Sequence, residues 1–451
     1  MLLFMKLKDN FLKIIPFLAV FVLLNACQEK ASDPVEITSK DLQNAVDHVT
    51  EIMIHDIFSP PQASRIYVYP NVAAYEIMAQ DDQAYKSLAG QITDFTPIPS
   101  TSDSLVNYPM AAMIAHMDIS RSLVFSEEKM KTYSDSLENL WSSMNKREYD
   151  ASKAYALDVV DHMQQWIKKD NYAQTRTMSK FTVDIDDPSR WQPTPPAYMD
   201  GIEPHWNKIR PLVLDSAAQF KPLPPPAFSM DKNSDFYKEL QEVYDVSQEI
   251  TEKGDDSEEI EIAQFWDCNP YVSVTRGHLL FATNKITPGA HWMGITEIAC
   301  KDSEADFSNT VYAYAKSSIA MFDAFISCWD EKYRSNLIRP ETLINQHIDE
   351  SWKPILQTPP FPEYVSGHSV VSGAAATVLT DIFGDNFSFM DDTELPYGLP
   401  VRGFDSFNKA AAEAAVSRLY GGIHYRAAID EGLTQGQNVG KWVIQNLEMK
   451  Q

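Results

Sequence analysis

Three short segments in the last third of the chain combine cations, histidines and small residues in a pattern that suits anion chemistry. They span residues 332–340, 362–369 and 417–424. A bound oxyanion needs several fixed cations, preferably arginine, whose planar guanidinium grips two oxygens at once. Lys332, Arg339 and Arg418 supply such cations from the first and third segments. We therefore expect the three segments to meet around one anion.

The second segment, which contains Ser366, Gly367 and His368, opens an apolar stretch of helical periodicity. Backbone N–H groups at a helix N-terminus attract anions, and a glycine there lets the backbone approach a ligand closely. His368 and His424 can divide the two remaining roles, one as nucleophile or ligand and the other as proton donor. Each segment alone is weak evidence for an anion site. The prediction rests on the occurrence of all three segments together, in one order.

Taken together, the segments resemble the signature of the type 2 phosphatidic acid phosphatase superfamily (PAP2), which includes vanadium-dependent haloperoxidases and bacterial class A acid phosphatases. The matching residues are Lys332 and Arg339-Pro340, then Ser366-Gly367-His368, then Arg418 and His424. The resemblance covers about residues 329–430.

This resemblance implies a role for each matching position. His424 corresponds to the axial residue, which ligates vanadate in haloperoxidases and attacks phosphorus in phosphatases. His368 corresponds to the general acid/base, with Lys332 beside it as a further catalytic group. The remaining positions correspond to an oxyanion clamp formed by Lys332, Arg339, Ser366, Gly367 and Arg418.

Two positions depart from the family pattern. Val365 replaces the usual proline before Ser-Gly-His, and Ala428 stands where the family has an aspartate that orients the axial histidine. We expect Asp430, or another acid such as Asp323, to orient His424 instead. The basicity of His424 depends on that partner.

Features outside the clamp favour a haloperoxidase. Class A phosphatases are about half as long, and membrane lipid phosphatases have several spanning helices. Trp329 and Phe361 resemble the aromatic residues of a halide pocket, with core packing as the alternative. His291 and Trp292 are expected to pack in the core, although they could approach the pocket.

The resemblance thus implies a vanadium-dependent haloperoxidase, with vanadate on His424 driving halide oxidation by peroxide. The alternative is a phosphomonoesterase that forms a phosphohistidine at His424 and needs no cofactor. A non-catalytic anion-binding lipoprotein is the third hypothesis. The expected partners are small molecules, either peroxide and halide or a phosphate ester, and the oligomeric state is left open.

The elements that must position these residues are predicted to be helices, so the expected fold is all-α, a haloperoxidase/PAP2-like set of helical bundles. Apolar residues recur at helical spacing in nine stretches. These are 41–58, 63–79, 104–124, 127–144, 147–168, 307–329, 366–383, 406–420 and 425–447. Prolines forbid long helices between residues 172 and 231, where interleaved aromatics predict an ordered loop packed on the body.

These patterns divide the chain into five predicted regions. They are a signal peptide (1–26), a tether (27–40), an N-terminal helical bundle (41–170), a proline-rich and acidic connection (171–260) and a C-terminal catalytic domain (261–451). A net charge of −25 argues against a nucleic-acid partner, because the surface repels phosphates.

The N-terminus resembles a bacterial lipoprotein signal. A basic stretch and a short apolar stretch precede Leu24-Asn25-Ala26-Cys27, so Cys27 is the predicted site of cleavage and lipidation. An ordinary signal peptide or an uncleaved anchor is the alternative. We expect an exported lipoprotein of the bacterial cell envelope, most simply on the outer membrane, that contacts the bilayer only through lipid.

The other cysteines are Cys268, Cys300 and Cys328. An oxidising compartment allows one disulfide among them and leaves one thiol, but the sequence does not give the pairing. No cysteine and histidine spacing typical of zinc is present, so the sequence predicts no zinc site.

Overall fold

The computed structural model describes residues 33–254, 256–276, 279–282 and 285–451. The predicted signal peptide and Cys27 lie outside the described residues. In the described part of the chain, no helix is both long and apolar enough to cross a bilayer.

Long helices dominate the N-terminal third, as the periodicity predicts. Several begin at capping side chains: Ser59, Asn107 and Asn145 each accept a hydrogen bond from the backbone N–H three residues later. The helices are α1 (Ser39–Asp56), α2 (Pro60–Asp81), α3 (Tyr108–Leu123), α4 (Glu127–Met144) and α5 (Lys146–Ile167).

The proline-rich stretch forms an ordered loop against the body, as predicted. It contains only the short helix α6 (Tyr172–Thr175) and a 3₁₀ turn at Trp206–Lys208. Trp191 and Trp206 are fully buried. The buried Asp323 carboxylate accepts the backbone N–H groups of residues 212, 213 and 214 at 2.8, 2.7 and 3.0 Å. This carboxylate fixes the loop to the central helix that carries it.

Helices also dominate the remainder of the chain, with two short antiparallel strand pairs between them. The helices are α7 (Asp235–Lys253), α8 (Glu258–Phe265), α9 (Pro288–Asp302), α10 (Phe307–Ser335), α11 (Pro340–His347), α12 (Gly367–Phe383), α13 (Phe407–Tyr420) and α14 (Arg426–Asn446). The strands are β1 (Ser273–Arg276) with β2 (Leu279–Ala282), and β3 (Phe389–Asp391) with β4 (Arg402–Phe404). The all-α prediction is confirmed.

One continuous apolar core runs through the described residues, from Val35 in the N-terminal third to Met449 near the end. The central helix α10 packs on both α2 and α12, and so connects the N-terminal and C-terminal helices. The domain boundaries inferred from sequence stay predictions.

Helices α12 and α14 pack at very short range, because glycines line the surface of contact. A Cβ atom added at Gly436 would lie 1.9 Å from the Val370 carbonyl oxygen, and one at Gly440 would lie 2.9 Å from that of Ala374. At the same crossing, the backbone N–H of Ser366 donates to the Ala428 carbonyl at 3.0 Å. The glycines therefore set the position of the helix end that carries the second motif.

We predict that Gly436→Ala destabilises the protein by about 1–3 kcal/mol, because the methyl group forces α12 and α14 apart. The measurement is the midpoint of thermal unfolding. Thr434→Ala, an exposed change on the same helix, is the matched control and should shift the midpoint little. Equal midpoints for the two variants would show that the close packing is dispensable.

Candidate active site

The first motif occupies the end of α10 and the turn that follows. Trp329 and Lys332 project from the last turns of the helix, which ends at Asn336 in the left-handed conformation. Three residues later Arg339 precedes Pro340, the first residue of α11. The turn is fixed by the proline-rich loop, since Trp191 N–H donates to the Asn336 carbonyl at 2.9 Å.

Lys332 is fully buried, and its ammonium group is surrounded by backbone carbonyls. It donates to the carbonyl oxygens of Pro362, Glu363 and Val365 at 3.0, 3.1 and 2.5 Å. Burial lowers the pKa of Lys332 to about 7, while three acceptors favour the ammonium form, because a neutral amine has only two N–H donors. Lys332 thus holds the loop that leads to Ser366 and places a charge beside the site.

Arg339 and Arg418 are equally buried, and each keeps an N–H group free. Arg339 donates from Nε to the Phe361 carbonyl at 3.0 Å and from Nη1 to the Ile423 carbonyl at 2.8 Å. Arg418 donates from Nη1 to the Trp266 carbonyl at 2.8 Å. Among the described residues, nothing accepts a hydrogen bond from Arg339 Nη2 or Arg418 Nε. The pKa of both guanidinium groups is lowered by burial.

The second motif opens helix α12. Ser366 is the N-cap residue, and its hydroxyl accepts from the backbone N–H of Ser369 at 3.3 Å. Gly367 and His368 form the first turn, so their N–H groups lie at the positive end of the helix. Burial and the neighbouring Arg418 hold the pKa of His368 well below its usual range. Its Nε2 atom has no hydrogen-bond partner within the described structure.

The third motif places His424 against the first two. A tight turn through Gly422, with φ of +75°, joins α13 to His424, and the Trp352 ring lies where a side chain at Gly422 would project. His424 Nδ1 lies 2.7 Å from Glu363 Oε1, and its Nε2 lies 3.1 Å from Arg339 Nη1. Because Arg339 is always a donor, this network assigns the proton of a neutral His424 to Nδ1. The Nε2 lone pair then accepts from Arg339, and a ligand at Nε2 would take the place of that hydrogen bond.

Glu363, not Asp430 or Asp323, is the acid that contacts His424. Its Oε1 also accepts the Tyr425 N–H at 2.9 Å, and burial raises the pKa of Glu363 to about 8. Asp430 is exposed, and Asp323 is occupied by the backbone of the proline-rich loop. The expectation for these two aspartates is therefore wrong, because the register after His424 turns residue 430 towards solvent. The sequence feature that could have indicated this role is the single acid, Glu363, within the otherwise apolar run 361–365.

The burial of His424 among Arg339, Lys332 and Arg418 holds the pKa of this imidazole well below its usual range. His424 is therefore neutral at pH 7, so its Nε2 can act as a ligand or nucleophile.

One cavity, which opens to solvent, reaches this group of residues and comprises about 440 Å³ of space between atoms. Gly367, His368, Arg418 and His424 line one side of it. The other lining residues are mostly apolar, and they include Trp329 and Phe361, whose rings lie 5.1 Å apart. The predicted aromatic pair thus faces the same cavity as the predicted histidines. Phe361 also lies 4.9 Å from Lys332 Nζ.

This donor set fits a tetrahedral oxyanion such as vanadate or phosphate. Three buried cations surround His424, and buried charges normally require partners. The free Arg339 Nη2 and Arg418 Nε groups are donors without acceptors. An anion bound at His424 Nε2 would supply the missing acceptors and the missing negative charge.

The three described cysteines are buried and unpaired, so no disulfide forms among Cys268, Cys300 and Cys328. Cys268 lines the cavity, a position that no sequence pattern indicated. His291 and Trp292 are buried, as expected, and His291 Nδ1 lies 3.4 Å from Cys268 Sγ.

Fold and site together define an all-helical protein with a buried oxyanion pocket, and known proteins share this combination. The family model described as the VCPO second helical-bundle domain matches residues 312–450. A crystal structure of a bacterial vanadium-dependent iodoperoxidase is 64% identical in sequence, with a TM-score of 0.90. The alignment covers 93% of this chain and 99% of that one. The chain therefore belongs to the vanadium-dependent haloperoxidase family.

More distant relatives share the fold. The holo form of a bacterial vanadium-dependent chloroperoxidase is 16% identical, with a TM-score of 0.63 over 87% of this chain and 93% of that one. The apo form of a bacterial vanadium-dependent chloroperoxidase is also 16% identical, with a TM-score of 0.60 over 85% of this chain and 94% of that one. No curated protein sequence matches the chain.

We predict that Glu363→Gln weakens orthovanadate binding about 10–100-fold, because an amide replaces the carboxyl group that orients the His424 ring. Asp430→Asn is the matched control and should bind like the wild type, since Asp430 is exposed. Isothermal titration calorimetry measures both affinities. Weaker orthovanadate binding in Asp430→Asn alone would instead support the role inferred from the sequence, in which Asp430 orients His424.

Proposed function

We propose that this chain is a vanadium-dependent haloperoxidase that oxidises iodide with hydrogen peroxide. The observation that carries the proposal is the 64% identity, over 93% of the chain, to a protein described as a bacterial vanadium-dependent iodoperoxidase. The cavity agrees with it, since it combines unpaired cationic donors with a neutral histidine. The choice of iodide among the halides rests on the activity of that relative.

In this proposal His424 Nε2 is the vanadate ligand, and Glu363 holds its ring in place. Arg339 and Arg418 donate to the oxyanion from the nitrogens that lack other partners. The first turn of α12, which Ser366 caps, adds the backbone N–H groups of Gly367 and His368. Lys332 contributes its charge and fixes the loop, because its three protons already point at carbonyls. Bound vanadate supplies Lewis-acid activation of the peroxide.

His368 is the proposed acid/base. The net reaction, H₂O₂ + I⁻ + H⁺ → HOI + H₂O, consumes one proton, and the oxygen that leaves as water must be protonated. A neutral imidazole beside the pocket can take a proton from incoming peroxide and return it to that oxygen. The lowered pKa of His368 keeps the imidazole in the neutral form that this role requires.

Trp329 and Phe361 are the proposed halide pocket. Both rings line the cavity, and the Lys332 ammonium lies 5.8 and 4.9 Å from their centroids. The Trp329 Nε1–H donates to the Ile202 carbonyl at 3.2 Å, so the ring presents an apolar surface. An apolar wall near a positive charge suits a large, weakly hydrated anion.

The test measures iodide oxidation by the purified enzyme with hydrogen peroxide, before and after removal of vanadate by dialysis and again after orthovanadate is restored. We predict activity only with orthovanadate and none in His424→Ala, which should keep the wild-type thermal midpoint. Full turnover in His424→Ala would contradict the assignment of the whole site.

A parallel assay with p-nitrophenyl phosphate tests the phosphatase alternative, because the same pocket could hold a phosphoryl group. Hydrolysis inhibited by vanadate, without iodide oxidation, would make the protein a phosphatase. Absence of both activities, with vanadate still bound, would favour an anion-binding protein without catalysis.

We further propose that the protein is an exported lipoprotein, cut before Cys27 and lipidated on that thiol. The support is the signal-like sequence that ends at Leu24-Asn25-Ala26-Cys27. Stable anchoring requires at least two membrane signals, such as two acyl chains on one cysteine.

We predict that Cys27→Ser abolishes incorporation of labelled fatty acid and leaves residues 1–26 attached. Intact-mass measurement of protein extracted from the membrane fraction checks both changes, and Cys300→Ser serves as the control. A wild-type chain that matures without lipid would show an ordinary signal peptide.

A further inference from the structure

A second group of buried ligand-type side chains lies against the cavity wall and has no part in the proposed reaction. Cys268, His291 and Glu394 each present one donor atom to the same point. Cys268 Sγ lies 3.4 Å from His291 Nδ1 and 3.9 Å from Glu394 Oε1, and His291 Nδ1 lies 3.5 Å from Glu394 Oε1. Thiolate, imidazole and carboxylate are the three side-chain ligands of zinc.

We propose that Cys268, His291 and Glu394 form a binding site for Zn²⁺. Ordinary zinc bond lengths and a tetrahedral angle require ligand separations of about 3.6 Å for S···N, about 3.6 Å for S···O and about 3.4 Å for N···O. The observed separations of 3.4, 3.9 and 3.5 Å are within about 0.3 Å of these values. The three atoms thus form one face of a zinc tetrahedron, with the fourth position left to water.

The groups behind the ligands also match a metal site. His291 Nε2 lies 3.0 Å from Asp391 Oδ2, so the imidazole can donate there while Nδ1 faces the metal. Asp391 Oδ1 in turn accepts from Thr393 N–H at 3.1 Å and from its hydroxyl at 2.6 Å. Metal-bound histidines nearly always donate their second N–H to a carboxylate or carbonyl in this way.

Burial makes a bound cation favourable at this place. Asp391 is fully buried, and Cys268 and Glu394 are 1% and 5% exposed. Two carboxylates therefore share one imidazole in a region shielded from water. Buried charges are costly unless they are paired or coordinate a metal. A divalent ion would displace the thiol proton and offset two of the three negative charges that the thiolate and the two carboxylates then carry.

The site would join three segments of the chain, and one of its ligands, Cys268, also lines the cavity. Cys268 follows α8, His291 lies in the first turn of α9, and Glu394 follows β3. His291 stacks on Trp266 at 4.4 Å, and the carbonyl of Trp266 receives the Arg418 guanidinium. A structural zinc ion here would therefore stabilise the wall that positions Arg418. The sequence predicted no zinc site because the ligands lie 23 and 126 residues beyond Cys268.

The test is the zinc content of the full protein, purified without chelator and measured by inductively coupled plasma mass spectrometry, which counts vanadium separately. We predict about one zinc per chain in the wild type, and loss of that zinc in Cys268→Ser and in Glu394→Gln. Cys300→Ser removes a buried thiol outside the cluster and should retain zinc. Zinc should raise the thermal midpoint of the metal-free wild type but not that of Glu394→Gln.

A second measurement identifies the ligand directly. Cobalt added to metal-free protein should give a thiolate-to-cobalt charge-transfer band that Cys300→Ser keeps and Cys268→Ser loses. Glu394→Gln preserves side-chain size, so its zinc loss remains informative if Cys268→Ser fails to fold. A wild type with neither zinc nor a zinc-induced thermal shift, or equal zinc in every variant, would overturn the proposal and leave His291 as a hydrogen-bonded core residue.

Discussion

The burial of three cations around His424 is the constraint on which the rest of this structure depends. Lys332, Arg339 and Arg418 are each at most 1% exposed, and a buried charge is costly unless its donors are satisfied. Backbone carbonyls satisfy most of these donors, and they come from loops rather than from helices, whose carbonyls are already occupied. The irregular loop segment 361–365 supplies such carbonyl oxygens to Lys332 and Arg339.

Those cations in turn fix the state of the histidines. Burial, and after it the positive surroundings, lower the pKa of His424 and His368, so both imidazoles stay neutral where an isolated histidine would titrate. Neutrality alone does not decide which nitrogen carries the proton. The position of the proton on His424 is decided by its two neighbours, because Glu363 faces Nδ1 and Arg339 faces Nε2. The cations thus help to set the charge of the two histidines, and Glu363 sets the tautomer of His424.

Much of this site follows from local sequence pattern. Helical periodicity predicts α12 and α14, and the motif residues lie at their ends, where three- or four-residue spacing determines position. Glu363 was missed because its contact with His424 spans 61 residues and depends on how two loops meet. Asp430 was a reasonable expectation by spacing alone, but the helix that begins at Arg426 turns it outwards. The close packing of α12 and α14 at Gly436 could not be predicted either, because a pattern of apolar residues treats glycine as neutral.

The same distinction explains the cluster around His291. Sequence motifs for metals work when ligands share one turn or one hairpin, because the chain then holds them together without the rest of the fold. Cys268, His291 and Glu394 lie on three separate elements, and only the packing of α9 against β3 and α10 brings them together. Such a site requires an already folded wall, so any metal bound there stabilises the tertiary arrangement rather than a local motif. The cavity chemistry at Arg418 therefore depends on contacts that no short stretch of sequence encodes.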